Sequence, residues 1–313
     1  MEKTFRYLFG PVPSRRLGRS LGVDLIPFKT CTLDCSYCQL GKTPTPSDKR
    51  DQYVPIQDVL NELQQWKNAG GEADHITLAG SGEPTLHTQF GKIFEWTTSH
   101  AKIPSVLLTN GTLLFDPAVR ADAALASKVK ITLSAWDEAS FQKIHNPAAH
   151  ITFKKLIEGE EAFRQIYTGE LSIEVFIIAG INDTPEAIDK IRHFVERIQP
   201  DRIDLNTAVR PPAYGTVHAV SPEKLAQLAE RLGPKAEVTA SFKNKSSSAQ
   251  TLTTEILLGL IKRHPATAQQ LATDFNTTEQ AIQKLLAPAL TQNLLDSEIR
   301  KDQPYYFYRT ETD

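Results

Sequence analysis

The chain has 313 residues, of which 40% are hydrophobic and 23% charged, and a formal net charge of −2. This is the profile of a globular protein with room for one large and one small domain; it excludes a nucleic-acid binder that works through a global basic field. Residues 1–16 carry Arg6, Arg15 and Arg16 and lack an apolar core, so no signal peptide is expected, and the apolar run at 175–178 is far too short to cross a bilayer.

In chain order, residues 21–26 are expected as a strand entering a cysteine-bearing loop. Residues 54–69 have helical apolar spacing and stop at Gly70-Gly71. Residues 75–79 form a short buried strand, followed by Gly80-Ser81-Gly82-Glu83-Pro84 and a helix over 87–99. A strand at 106–108 closes on Thr109-Asn110-Gly111, and Asp116-Pro117 starts a helix with an acidic cap and a proline in the first turn. A strand at 129–134, a helix at 152–167, a strand at 171–178, a helix from Thr184-Pro185-Glu186 to 198 and a strand at 202–206 follow. Ser221-Pro222-Glu223 opens a helix to 232, and Val238 marks a short further strand.

Strands alternating with helices predict parallel βα units, arranged as an open doubly wound sheet or a partial barrel. In either arrangement the loops after the strand C-termini carry the site. The cysteines, Gly80–Pro84, Asn110, Ser134, Gly180 and Asn206 all fall there, so the polar and glycine signals gather at one rim.

Residues 241–250 are polar and serine-rich, the composition of a linker. Beyond them a separate unit is predicted: a helix over 254–263, a capping box at Thr267–Gln270 opening a helix to 275, a helix over 278–290, and a hairpin from 294–299 and 305–308. That order is a winged helix. Its third helix carries Lys284 as its cation and includes Pro288, and residues 251–313 hold six Lys/Arg against eight Asp/Glu. Phosphate contacts need cations, so a module for protein contact or substrate capture is favoured over DNA binding.

The chain's cysteines, Cys31, Cys35 and Cys38, lie within eight residues as C-x3-C-x2-C, with Tyr37 before the last. Such clustering fits a reducing, cytoplasmic compartment. A cubane cluster needs four ligands when fully held; three thiolates leave one iron free to bind a substrate or cofactor. A zinc site with a histidine as fourth ligand is a rival reading. Residues 1–50 hold nine Lys/Arg against four Asp/Glu, which makes a basic wall for an anionic substrate a second expectation.

Cys31-x3-Cys35-x2-Cys38 followed by Gly80-Ser81-Gly82-Glu83-Pro84 resembles the radical S-adenosylmethionine (SAM) superfamily, over about residues 5–215. More narrowly, residues 10–18, Ala208-Val-Arg-Pro-Pro-Ala213 and Ile144-His-Asn-Pro147 resemble the wybutosine-biosynthesis-related iron-sulfur oxidoreductases. With the resemblance, the chain is expected to be α/β: residues 1–240 as a partial (β/α)6 barrel, followed by the linker at 241–250 and the C-terminal winged-helix domain at 251–313 read above from composition and element order. The resemblance implies a 4Fe-4S cluster on the three cysteines and SAM on the fourth iron. One electron then cleaves SAM to a 5'-deoxyadenosyl radical, which abstracts hydrogen from a nucleic-acid base, a peptide or an anionic metabolite. An electron donor such as flavodoxin or ferredoxin is the implied partner, with nucleic acid a lesser candidate and no membrane.

The resemblance assigns cofactor contacts to Tyr37 through its loop backbone, Gly80 and Gly82 through close backbone approach, Glu83 beside the SAM ammonium, and Asn110 and Ser134 at carboxylate or ribose. Asn206, Arg210, Arg15, Arg16, Arg19 and His145 are further rim candidates. With three cysteines in all, neither a second cysteine-held cluster nor methylation through a carrier cysteine is expected. The alternative function is an iron-sulfur redox sensor whose winged helix binds DNA.

Overall fold

A computed structural model describes residues 5–14, 16–209, 212–239, 252–263, 265–300 and 303–309. Its larger unit is built on strands β1 (Leu8–Ser14), β2 (Gly18–Val23), β3 (His75–Leu78), β4 (Ser105–Thr109), β5 (Lys128–Thr132), β6 (Glu170–Ile177), β7 (Arg202–Thr207) and β8 (Ala236–Val238). They lie side by side in sequence order, β1 antiparallel to β2 and each later neighbouring pair parallel. This is the expected α/β fold with a mostly parallel sheet. The sequential order separates it from a doubly wound sheet, whose order reverses at a switch point.

Helices α1 (Ile56–Asn68), α2 (Gly91–Trp96), α3 (Pro117–Ala123), α4 (Glu138–His145), α5 (Phe153–Ile166), α6 (Pro185–Ile198) and α7 (Pro222–Leu232) fill the connections. Asp116, Thr184 and Ser221 each accept an amide of the first turn and are followed by proline, so these starts are set by local chemistry. The strands divide the faces by alternation. In β5, Val129 and Ile131 are buried while Lys128, Lys130 and Thr132 are half-buried; β6 buries Leu171, Ile173 and Val175 between Glu170, Ser172 and Glu174. One face thus joins an apolar core and the other carries charge.

Four features depart from the sequence expectations. β1 was hidden by Pro11 and Pro13; proline is tolerated on an edge strand, where one row of amides needs no partner. β2 ends at Val23 rather than Ile26, because Asp24 turns the chain into the cysteine loop. The helix predicted over 87–99 is α2 continued by a π turn at Thr97–Ala101, with a separate 3-10 turn at Pro84–Leu86 ahead of it. Helix α4, opened by a reciprocal cap between Asp137 and Ser140, carried no apolar signal long enough to announce it.

The C-terminal unit consists of α8 (Thr254–Ile261), β9 (Ala266–Thr267), α9 (Ala268–Asp274), α10 (Glu279–Thr291), β10 (Leu295–Arg300) and β11 (Gln303–Tyr308). Its strands form an antiparallel sheet in the order β10-β11-β9. Leu257, Leu260, Leu271, Ile282, Leu286 and Tyr306 share a hydrophobic cluster distinct from that of the larger unit, with Val12 of β1 packed against it. The Thr267–Gln270 capping box forms as expected. The linker expected at 241–250 lies outside the described residues.

Candidate active site

The loop after β2 carries the cysteines, and the segment closing α4 cradles it through backbone bonds. Asp34 N donates to His145 O at 2.9 Å, Ser36 N to Ile144 O at 2.9 Å, and Ala148 N to Thr32 O at 2.9 Å. Asn146 adopts φ 40°, which ends the helix and turns its carbonyls toward the loop. The Ile144–Pro147 motif is therefore a clamp on the cysteine loop. From the other side, Tyr214 donates to Asp34 Oδ2 at 2.5 Å. The Tyr37 ring stacks on Phe176 of β6, with centroids 4.0 Å apart and planes 10° from parallel. Its hydroxyl is directed toward Cys35 and Ser134.

The cysteines are free and half-buried, and each sulfur has a polar neighbour from a different segment. Asn110 Nδ2 points at Cys31 Sγ from 3.6 Å, His145 Nδ1 lies 3.2 Å from Cys35 Sγ, and Lys29 Nζ lies 3.3 Å from Cys38 Sγ. Burial pushes the Cys31 thiol up to about 12, with Glu83 adding to the rise. Burial likewise drives Cys35 well up, and the neighbouring cysteines add to it. Burial holds His145 neutral by lowering it to about 3, and the tautomer with a proton on Nδ1 donates to sulfur. Cys31 and Cys35 therefore keep their protons until a metal displaces them. Donors aimed at sulfur are the groups that tune an iron-sulfur cluster, so the residues present fit one. A single zinc ion would need its ligands to converge at about 2.0–2.3 Å from one point. Among the described residues no group of three or more His, Cys, Asp or Glu side chains is already placed to hold a single metal ion, the three cysteines included.

Glu83 is buried and ties the rim together. Its Oε1 accepts from Thr85 N at 3.1 Å, Thr85 Oγ1 at 2.6 Å and Thr109 Oγ1 at 2.6 Å; its Oε2 accepts from Asn110 N at 2.8 Å. Burial raises its pKa and the donated bonds oppose that rise. Asn110 in turn donates to Thr32 Oγ1 at 2.8 Å and accepts from Thr112 N and Oγ1. The loops after β2, β3 and β4 are thus one hydrogen-bonded body. A Cβ at Gly80, whose φ is +150°, would overlap the Asp24 carboxylate, and one at Gly82 would overlap the Thr30 carbonyl. In this structure the two glycines are required by the packing of their loop on the cysteine loop.

Ser134 is fully buried, and its Oγ accepts from Phe176 N at 2.8 Å. Asn206 lines a cavity of about 210 Å³ on the charged face of the sheet, together with Arg16, Lys128, Lys130, Glu174 and Asp204. Its lining comes largely from the first halves of the strands, away from the cysteine rim, and Lys130 pairs there with Glu174 and Asp204. Four of the cations expected to form a basic wall in residues 1–50 are held in ion pairs. Arg16 pairs with Asp204, Arg19 with Glu72 and Asp74, Arg50 with Asp116, and Lys49 with Asp51. Asp204, Glu72, Asp74 and Asp116 come from segments distant in sequence. Arg15 and Arg210 lie outside the described residues.

Sequence reasoning passed over Lys29 and Asp24. Lys29 lies two residues before the first cysteine; Asp24 is a lone charge in the apolar run 21–26. In both, an ionisable group placed where burial is certain was the available signal.

A chain with this sheet and rim, and with thiols so placed, belongs to the radical SAM superfamily, whose pattern matches residues 25–195. Its members are enzymes that use a 4Fe-4S cluster and SAM, and need a reductant and a substrate. The chain is 38% identical to a UPF0026 protein of Synechocystis sp. over 212 residues, covering 67% of this chain and 78% of that protein. It is 33% identical over 296 residues to a protein described as GTPase Obg from Brachyspira hyodysenteriae, covering 93% of this chain but 44% of the relative's length. In three dimensions it resembles a radical SAM methyltransferase from Sphaerobacter thermophilus, with a TM-score of 0.54, 16% identity, and coverage of 70% of this chain and 65% of that one. No helix among the described residues is long and apolar enough to cross a membrane.

Proposed function

We propose that Cys31, Cys35 and Cys38 hold a 4Fe-4S cluster through three thiolates, and that the rim formed by Gly80, Gly82, Glu83 and Asn110 receives SAM beside it. When bound, the pair supplies one-electron cleavage of a sulfonium carbon–sulfur bond and abstraction of hydrogen from a substrate. The observation that carries this reading is the polar set around the sulfurs: a side-chain nitrogen lies 3.3 Å from Cys38 Sγ, 3.2 Å from Cys35 Sγ and 3.6 Å from Cys31 Sγ, brought in from three separate segments.

The chain's own groups then divide the work. Lys29 places a fixed positive charge at Cys38, where it offsets thiolate charge. Glu83 Oε2, with Asn110 N as its donor, keeps acceptor capacity for an ammonium group. Asn110 and Ser134 hold the rim in shape, because their polar atoms are engaged by neighbouring protein groups. Tyr37 wedges the cysteine loop against β6 and keeps water from its buried side.

In this reading residues 1–240 form the partial (β/α)6 barrel and 251–313 a winged-helix unit. The order helix, strand, helix, helix, hairpin in the C-terminal unit supports that. A flavodoxin or ferredoxin is the expected electron donor. The redox-regulator alternative finds no support: α10 offers Lys284 against Glu279, too little charge to grip phosphates.

The test is iron content after anaerobic reconstitution. The wild-type protein should bind a four-iron cluster and Cys35→Ala should not, because two thiolates cannot retain the cube. A variant that keeps full iron would remove Cys35 from the ligand set.

A further inference from the structure

Arg263 is a buried cation that the radical SAM chemistry does not call for. It follows α8 in the C-terminal unit, yet its guanidinium lies in the larger unit, 4.0 Å from the ring centroid of Phe9 on β1. Its Nη1 donates to Gly259 O at 3.0 Å, which fixes the side chain to its own helix. Its Nε donates to Asp24 Oδ2 at 2.9 Å, with the two side chains 7% and 8% exposed.

Asp24 leads directly to the glycine-rich loop. Its Oδ2 also accepts from Ser81 Oγ at 2.6 Å, and its Oδ1 from Ser81 N at 3.1 Å and Ile26 N at 3.4 Å. The carboxylate occupies the space that a Cβ at Gly80 would need. Its position therefore fixes Gly80 and Ser81. A second bond, Gln270 Nε2 to Val209 O at 3.3 Å, ties the same unit to the loop after β7.

We propose that Arg263 is a positioning residue for the SAM-binding loop, so that the C-terminal unit completes the active site from behind. The inference rests on the assignment of Gly80–Glu83 to SAM made above. A buried carboxylate deprived of its cation must take up a proton or move to water. Either response changes its bonds to Ser81, and the loop moves with them. The C-terminal unit and the cofactor site are then linked: a partner that shifts α8 alters SAM binding, and SAM alters affinity for that partner.

The experiment is calorimetric titration of SAM into anaerobically reconstituted protein, with iron content measured alongside. Arg263→Ala should retain its iron and bind SAM about tenfold more weakly, equivalent to about 1.4 kcal/mol. Arg309→Ala, which removes an exposed pair with Asp296 in the same unit, should bind SAM as the wild type does. Asp24→Asn placed on top of Arg263→Ala should recover most of the loss, because an amide needs no cation and its oxygen still accepts from Ser81. A simple loss of packing would not be rescued in that way. Wild-type affinity in Arg263→Ala, or no recovery in the double variant, overturns the proposal. Should Arg263→Ala fail to accumulate, Arg263→Gln takes its place: it keeps much of the stem without the charge, and an affinity equal to wild type would count against the proposal. Wild-type protein that binds iron but not SAM would overturn the cofactor assignment itself, and this inference with it.

Discussion

Lys29 Nζ stands 3.3 Å from Cys38 Sγ, and its second bond, to the Gly41 carbonyl, fixes it within the loop it serves. A cation at a ligand sulfur stabilises the more negative, reduced state of a cluster. Lys29→Met keeps the buried stem and removes the charge. Its cluster should assemble with full iron but show a more negative midpoint potential, by on the order of tens of millivolts, the scale of about 1 kcal/mol in a one-electron couple. A redox titration followed by electron paramagnetic resonance reads this directly. An unmoved potential would mean that the ammonium does not act on the cluster.

Glu83 accepts bonds from Thr85, Thr109 and Asn110 and so joins two loops of the rim. Glu83→Ala leaves those buried donors without a partner, at about 1–3 kcal/mol for each unsatisfied group. The variant should lose several degrees of melting temperature and bind SAM at least tenfold more weakly, while its iron content is retained. SAM affinity equal to wild type would remove Glu83 from the site.

Glu160 lies in α5 beside Gly111, fully buried, and neither carboxyl oxygen has a hydrogen-bond partner among the described residues. Burial, reinforced by Glu161, holds its pKa well above the ordinary carboxyl value. A carboxyl whose folded pKa is raised binds its proton more tightly in the native state than in the unfolded one. The native state then loses stability as pH rises above the unfolded pKa, until the folded value is passed. Below the unfolded value this cost is absent. Glu160→Gln removes the ionisation. It should gain about 1–3 kcal/mol at pH 8 and little at pH 4. Urea unfolding at the two pH values measures the difference, and an equal effect at both would refute the ionised-carboxyl explanation.

The parts legible in the sequence were those set by local chemistry. Asp116-Pro117, Thr184-Pro185 and Ser221-Pro222 placed helix starts because a cap and a proline act within one turn. The cysteine spacing and Gly80–Pro84 marked the rim because both follow strands. What stayed hidden depends on long-range pairing. β1 is a strand because β2 offers it an edge, a fact that Pro11 and Pro13 conceal. Arg16, Arg19 and Arg50 of the expected basic wall are paired by Asp204, Glu72, Asp74 and Asp116, acids that come from distant segments. Arg263 reaches Asp24 across 239 positions, and no local pattern announces that contact.

The α4 terminus shows the same division. Residues 144–147 stood out as a motif, but their work is to offer the Ile144 and His145 carbonyls to Ser36 and Asp34. Backbone acceptors leave little trace in side-chain identity, so the motif could be noticed without its task being read.

The most direct test is the spectrum of the reduced, reconstituted protein with and without SAM. Electron paramagnetic resonance should show a reduced cubane cluster whose signal changes when SAM is added, and dithionite should then release 5'-deoxyadenosine. A cluster of full iron content whose signal is indifferent to SAM, and which yields no 5'-deoxyadenosine, would contradict the assignment of this rim as a SAM-binding, SAM-cleaving site.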